Sequence, residues 1–455
     1  MSVDKADLTI GDIKRHFRTI SIPASIGFLF NTLFNVVDSF YAGRLGTDVL
    51  AGMAISFPIF FLILSISSGV GNGATALSAI AIGKRDKIYF HAIAKNAILL
   101  AVIFGIVLPV LSPLYLGPLF RLAGAEGEVL AVGIRYTEVI LIGSVFFILN
   151  FVFNGILNSQ GNTKPFRNYL VAGFLANLIL DPLFIFGWFG LPEMGVAGVA
   201  LATVVVQFGG SVYLFYHVLK SEIFEMDIFR EVKIRFDAIK DILSQGIPSS
   251  ISSATIALGV FIINYFVLQY GGSDTVAAYG VSMRIEQIAL IPTIGLNVAV
   301  LSIAGQNYGA DNIDRVREAR RKGTLYGVII MLVGTVLIVP LAPYLIAFFD
   351  PSESVVEAGT TYLRIEAIAF TTYVFLNINI STLQGIKKPQ FAIWIGVYRQ
   401  VLPFAIFYFL GTTLGWGIFG VWWGIVIINW SAVVISTLYT NYKLNQAEKN
   451  PSHSG

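Results

Sequence analysis

Residues 27–46 read GFLFNTLFNVVDSFYAGRLG, an apolar stretch long enough to cross a bilayer as a helix, with Asp38 near its middle. A charged side chain at mid-bilayer costs roughly 3 kcal/mol or more, so such a residue marks function by default. The rest of the chain supports the membrane reading. Of 455 residues, 56% are hydrophobic and 13% charged. The mean hydropathy is +0.76. A soluble chain would carry about a quarter charged residues. Alternating ten-residue strands are absent, which argues against a β-barrel.

Twelve spans are expected, at 18–43, 50–82, 90–117, 128–158, 166–189, 194–219, 240–270, 275–308, 323–349, 356–385, 390–414 and 417–442. Most of the 30 Lys and Arg residues fall in the segments before span 1, after each even-numbered span and at the end of the chain. The opposite loops keep only Arg44, Arg121 and Arg135. The positive-inside rule then places both termini in the cytoplasm of a multi-pass protein of the cell (inner) membrane. The start of the chain is polar where a signal peptide needs an apolar core.

The two halves resemble each other. Span 1 runs into DSFYAGRLGTDVLAGMAIS (38–56) and span 7 into NYFVLQYGGSDTVAAYGVS (264–282). At one constant offset Gly46, Ala51 and Ser56 fall on Gly272, Ala277 and Ser282, and Gly83 falls on Gly309. LNSQGNTKPF (157–166) parallels STLQGIKKPQ (381–390), and GVAGVALATVVVQ (195–207) parallels GIFGVWWGIVIIN (417–429). The expected fold is an all-α integral membrane protein, with twelve transmembrane helices in two six-helix lobes related by a parallel repeat. The expected organisation is an interfacial helix at 1–17, a first lobe at 18–219, an amphipathic linker at 220–239, a second lobe at 240–442 and a tail at 443–455. Parallel repeats of this kind build transporters around a central cavity.

The first half carries polar stripes. Asn31, Asn35 and Asp38 share a face of span 1, and Asn150, Asn154 and Asn158 a face of span 4. Asn177 and Asp181 are one turn apart on span 5, as are Thr203 and Gln207 on span 6. Single amides in membrane helices are often glue between helices. Two acids are harder to explain that way, because this half has no mid-membrane Lys or Arg to pair with them. Close, poorly hydrated carboxylates are suited to holding a proton or Na⁺. Asn264 stands at the repeat position of Asp38, so the lobes are not equivalent there. Glu286, Arg284, Glu366, Arg364 and Arg399 lie within second-half spans, where mutual ion pairing is the plain expectation. A second ion site at Glu286 is the alternative.

Several functions are excluded. There is no cysteine, and the four histidines (His16, His91, His217 and His453) lie near membrane edges or in the tail, so neither a metal centre nor a nucleophilic catalytic pair can form. The glycine run SGVGNGATAL (68–77) follows no strand and reads as close helix packing. No Walker motif is present. The chain is therefore not expected to be an enzyme, to need a cofactor or to bind nucleic acid.

Span count, the acid in span 1 and N-x-x-x-D-P in span 5 together resemble the multidrug and toxic compound extrusion (MATE) family, specifically its DinF-like branch. The resemblance rests on Pro23 and Asp38, QGNTKP at 160–165, NLILDP at 177–182 and GVAGVALAT at 195–203. In the second half it rests on SIAGQNYGA at 302–310 and the stretch from Arg399 to Pro403. It implies a V-shaped, monomeric pair of lobes that exports amphipathic, often cationic, compounds in exchange for H⁺ or Na⁺. By resemblance, Asp38, Asp181, Asn177 and Thr203 hold the coupling ion. Asn31, Asn35, Asn150 and Asn154 line the substrate pocket, and Pro23 is a hinge in span 1. A lipid-linked precursor flippase of the same two-lobe plan is the alternative. It would favour basic cavity residues, whereas the mid-membrane charges of the first half are acidic.

Overall fold

The computed structural model describes residues 7–449, leaving the start of the expected interfacial segment and the end of the tail, with His453, outside the described residues. Those residues form helices and no strand. The helices are α1 (Ile13–Gly43), α2 (Thr47–Gly83), α3 (Lys87–Leu122), α4 (Gly127–Ile142), α5 (Ser144–Ser159), α6 (Lys164–Phe186) and α7 (Val196–Leu219). A short α8 (Met226–Glu231) precedes α9 (Phe236–Gly309), α10 (Ile313–Phe349), α11 (Glu353–Glu366), α12 (Phe370–Gly385), α13 (Phe391–Tyr408) and α14 (Ile418–Lys449).

Among the described residues nine helices are long and apolar enough to cross a membrane, or ten when α4 and α5, bent by 45°, count as one broken span. α9 is two helices run together at Gly272, whose φ of 76° suits a residue without a Cβ. With α9 taken as two spans and α11–α12 as one broken span, each of the twelve expected segments has its helix. The α11 half of that broken span is only 14 residues long and carries Glu353, Glu357, Arg364 and Glu366.

Local signals place several boundaries. Asp86 caps α3 by accepting from the Tyr89 amide at 2.8 Å. Gly187, in the left-handed region, ends α6. α1 begins at Ile13 and continues through Pro23, so residues 13–17 form its opening turns rather than a separate helix. In the expected linker only α8 and the first turn of α9 are helical. There the Lys95 amine donates to the carbonyls of Phe229, at 2.9 Å, and Val232, at 2.6 Å, closing the end of α8.

By contacts the chain divides into two units, one holding Pro23–Ser250 and the other Thr9–Ile22 with the chain from Ile251 onward. In the first unit α2 packs closely on α5 and α9. A Cβ added at Gly71 would meet the Phe151 carbonyl oxygen at 2.8 Å, and one at Gly73 the Ile242 carbonyl oxygen at 2.9 Å. The glycine run is a packing surface. The unit has two apolar clusters. One holds Phe166 and Leu170 of α6 with Val206 and Leu214 of α7. The other holds Ile185 of α6 with Val199 and Ala200 of α7. The second unit is centred on Val316, Leu376, Leu383, Ile395 and Val433.

Candidate functional site

Between the two apolar clusters of the first unit, α1, α6 and α7 bring four polar side chains together. Asn177 Nδ2 donates to Asp38 Oδ1 at 2.5 Å and to Asp181 Oδ2 at 3.0 Å, so one amide bridges two carboxyl groups. Thr203 Oγ1 donates to the other oxygen of Asp38 at 3.2 Å. Asp38 is 6% exposed, and Asp181 and Asn177 are fully buried. Among the described residues, Asp181 Oδ1 and Asn177 Oδ1 have no hydrogen-bond partner.

The electrostatics are one-sided. No Lys or Arg forms an ion pair with either acid among the described residues. Two anions this close and this dry repel each other and lack hydration. A proton, or a small cation taking the two free oxygens, would relieve both costs. Asp38 sits about four turns beyond Pro23 on α1. That proline has no amide hydrogen to bond the Thr19 carbonyl, so the helix is weakest there.

The other expected site residues are placed differently. Asn31 and Asn35 are exposed on α1, and Asn35 Nδ2 donates to the Asn31 carbonyl at 3.0 Å. Asn150 is buried in a network of its own. Its Nδ2 donates to Gln207 Oε1 at 2.7 Å, and its Oδ1 accepts from Ser211 Oγ at 2.9 Å. Tyr169 OH donates to the same Gln207 oxygen at 2.7 Å. Asn154 is 7% exposed, and its Oδ1 has no partner. The polar stripes thus meet in two adjacent clusters, with α7 supplying Thr203 to one and Gln207 to the other. Sequence reasoning passed over Tyr169 and Ser211. Ser211 extends the one-turn series Thr203, Gln207, and Tyr169 lies on the Asn177 face of α6, so the spacing held the signal.

The second unit has its own buried acids. Glu286 accepts from Tyr362 OH at 3.3 Å, and Glu366 Oε1 accepts from Tyr373 OH at 3.0 Å. The expected ion pairing is not found. Among the described residues no ion pair includes Glu286, Glu366, Arg284, Arg364 or Arg399. Arg284 and Arg364 sit on exposed helix faces, and Arg364 Nε donates to the Val339 carbonyl at 3.4 Å. Arg399 Nε donates to Asn429 Oδ1 at 3.1 Å, and its guanidinium lies 5.6 Å from the Tyr373 ring centre. Its charge still reaches both glutamates electrostatically. Asn264 is half-buried. Glu366, Tyr362 and Tyr373 were not singled out as a site by sequence, although Tyr362 and Glu366 are one turn apart.

Known proteins share this plan. A family model described as MatE matches residues 23–183 and again 248–409, once in each half. A probable multidrug resistance protein NorM of Thermotoga maritima is 27% identical over 406 residues, which is 87% of this chain and 86% of that protein. An FAD transporter of Shewanella oneidensis is 27% identical over 408 residues, 88% of each chain. A solved MOP-superfamily transporter from Pyrococcus furiosus, described as having a binding pocket of reverse polarity, superposes with a TM-score of 0.91. It is 28% identical and covers 99% of this chain and 100% of its own.

Proposed function

The chain belongs to the MatE family of membrane transporters, and on that footing we propose that it is a secondary multidrug efflux antiporter coupled by the carboxylates of its first unit. The observation that carries this reading is the Asp38–Asn177–Asp181–Thr203 cluster, two buried acids with no basic partner. The multidrug part of the reading comes from relatives bearing that name.

The chemistry proceeds in two states. With a proton or Na⁺ on the acid pair, the cluster is neutral enough to stay dry, and the Asn177 amide ties α1 to α6. When the cation leaves, the charge calls for water or a cationic substrate. α1 responds at Pro23, where its hydrogen-bond ladder is broken. A cation and a cationic drug that favour opposite states exchange across the membrane. The exposed Asn31 and Asn35 sit on the same helix, where they can meet the substrate. Both ends of the chain lie on the cytoplasmic face of the cell membrane in this reading.

The test is ethidium efflux from proteoliposomes under an imposed pH or Na⁺ gradient. Wild type should export with at least one gradient and Asp38→Asn with neither. Equal export by both proteins removes Asp38 from coupling. A second reading, export of an anionic nucleotide-bearing or lipid-linked compound, is favoured by the FAD transporter among the relatives and by the reversed-polarity neighbour. FAD competing with ethidium in the same vesicles would favour it.

A further inference from the structure

The Asp38 cluster continues into a run of buried and half-buried polar groups that leads away from it. Thr203 stands one turn from Gln207 on α7, and Gln207 bonds Asn150 of α5. From Asn150 one face of α5 carries Asn154 and then Asn158, each about 6 Å further along the axis. Past Asn158 the helix ends at Ser159, and the chain surfaces at exposed Asn162 and Lys164. That end of the unit is the basic-flanked one.

Two of these asparagines are costly to keep. Asn154 and Asn158 are 7% and 5% exposed, and among the described residues the Oδ1 of each has no hydrogen-bond partner. Ser78 Oγ, on the neighbouring α2, is also without one. A Cβ at Gly155 would lie 2.9 Å from Thr75 Oγ1, so Ser78, one turn beyond Thr75, is level with Asn158. A buried amide oxygen without a partner costs about 1–3 kcal/mol, and leucine at either position would avoid that cost. If these amides only glued helices together, their oxygens would find partners on those helices. Unpartnered polar atoms at one-turn intervals instead suit bridging water.

We infer that Asn150, Asn154, Asn158 and Gln207 form a hydrated track along which the coupling cation passes between Asp38 and the basic-flanked end of the first unit. The inference rests on the reading of Asp38 as the coupling acid. A proton would move from water to water, each hop breaking one O–H bond as the next forms, so the side chains are unchanged by its passage. A Na⁺ ion would move with amide oxygens replacing part of its water.

The test sets Ser78→Ala/Asn158→Leu, the leucine pair, against Asn158→Ser with Ser78 kept, the serine pair. The leucine pair should fold with a melting midpoint equal to or above wild type, because it removes unpartnered polar atoms. It should bind ethidium within about twofold of wild type, yet export it under a gradient roughly tenfold more slowly. The serine pair, which restores polar atoms, should recover most of the rate. A folded leucine pair exporting at the wild-type rate would overturn the track. So would parallel loss of ethidium binding, which would make these residues substrate contacts, or failure of the leucine pair to fold, which would make them structural. Asp38→Asn in the same vesicles separates the two claims. Normal export by Asp38→Asn ends the coupling reading and the track's destination with it. Lost export by Asp38→Asn beside normal export by the leucine pair ends the track alone.

Discussion

The two units solve the problem of a buried acid in different ways. In the first, Asp38 and Asp181 share one amide donor and, among the described residues, form no ion pair. In the second, Glu286 and Glu366 each take a tyrosine hydroxyl, and Arg399 is close enough to act on both. That arginine assists the second cluster without forming an ion pair among the described residues, and Glu366 Oε2 still has no hydrogen-bond partner there. The first has no such basic neighbour, and on the proposed reading the coupling cation takes that place. On the proposed reading, buried acids serve as an arginine-assisted cluster in one unit and as an exchangeable site in the other.

Substitutions can break this contrast. The largest effect is expected at Asp38→Asn, which should cut gradient-driven ethidium efflux roughly 100-fold, while Glu286→Gln stays within a few-fold of wild type. Equal losses in the two variants would erase the distinction. Asp181→Asn should cost about tenfold, since Asp38 alone can still take a cation but without its partner. Arg399→Ala should act on stability first, leaving two buried acids without their nearby cation at a cost of about 1–3 kcal/mol. A thermal melt reads this directly, and adding Glu366→Gln should recover part of the loss. The smallest effect is expected at Thr203→Val, which removes one hydrogen bond to Asp38 worth about 1 kcal/mol and should slow efflux a few-fold. Faster efflux in that variant would mean that the hydroxyl competes with the cation.

Much of this architecture could be read from the sequence, because a bilayer imposes a length and a composition on every span. The repeat was readable too, since Gly46 and Gly272 begin matching segments. The spacing of Asn177, Asp181 and Thr203 put them on faces able to meet Asp38. Spacing could not say which faces do meet. Asn31 lies two turns before Asp38 on nearly the same side of α1, yet it is exposed while Asp38 is buried. Burial is set by what packs against a helix at each level, and periodicity along one helix carries no such information. For the same reason the ion pairs expected around Glu286 did not form. Arg284 is two residues away, on a different face of α9, and points to the exposed side.

One measurement bears most directly on the exchange at Asp38. Ethidium is added to unbuffered, detergent-solubilised protein, and the cations released are counted, protons by pH electrode and Na⁺ by ion-selective electrode. Wild type should release about one monovalent cation per ethidium bound and Asp38→Asn none, because ligands that favour opposite states displace each other. Ethidium binding to wild type with no release of either cation would contradict exchange at this site.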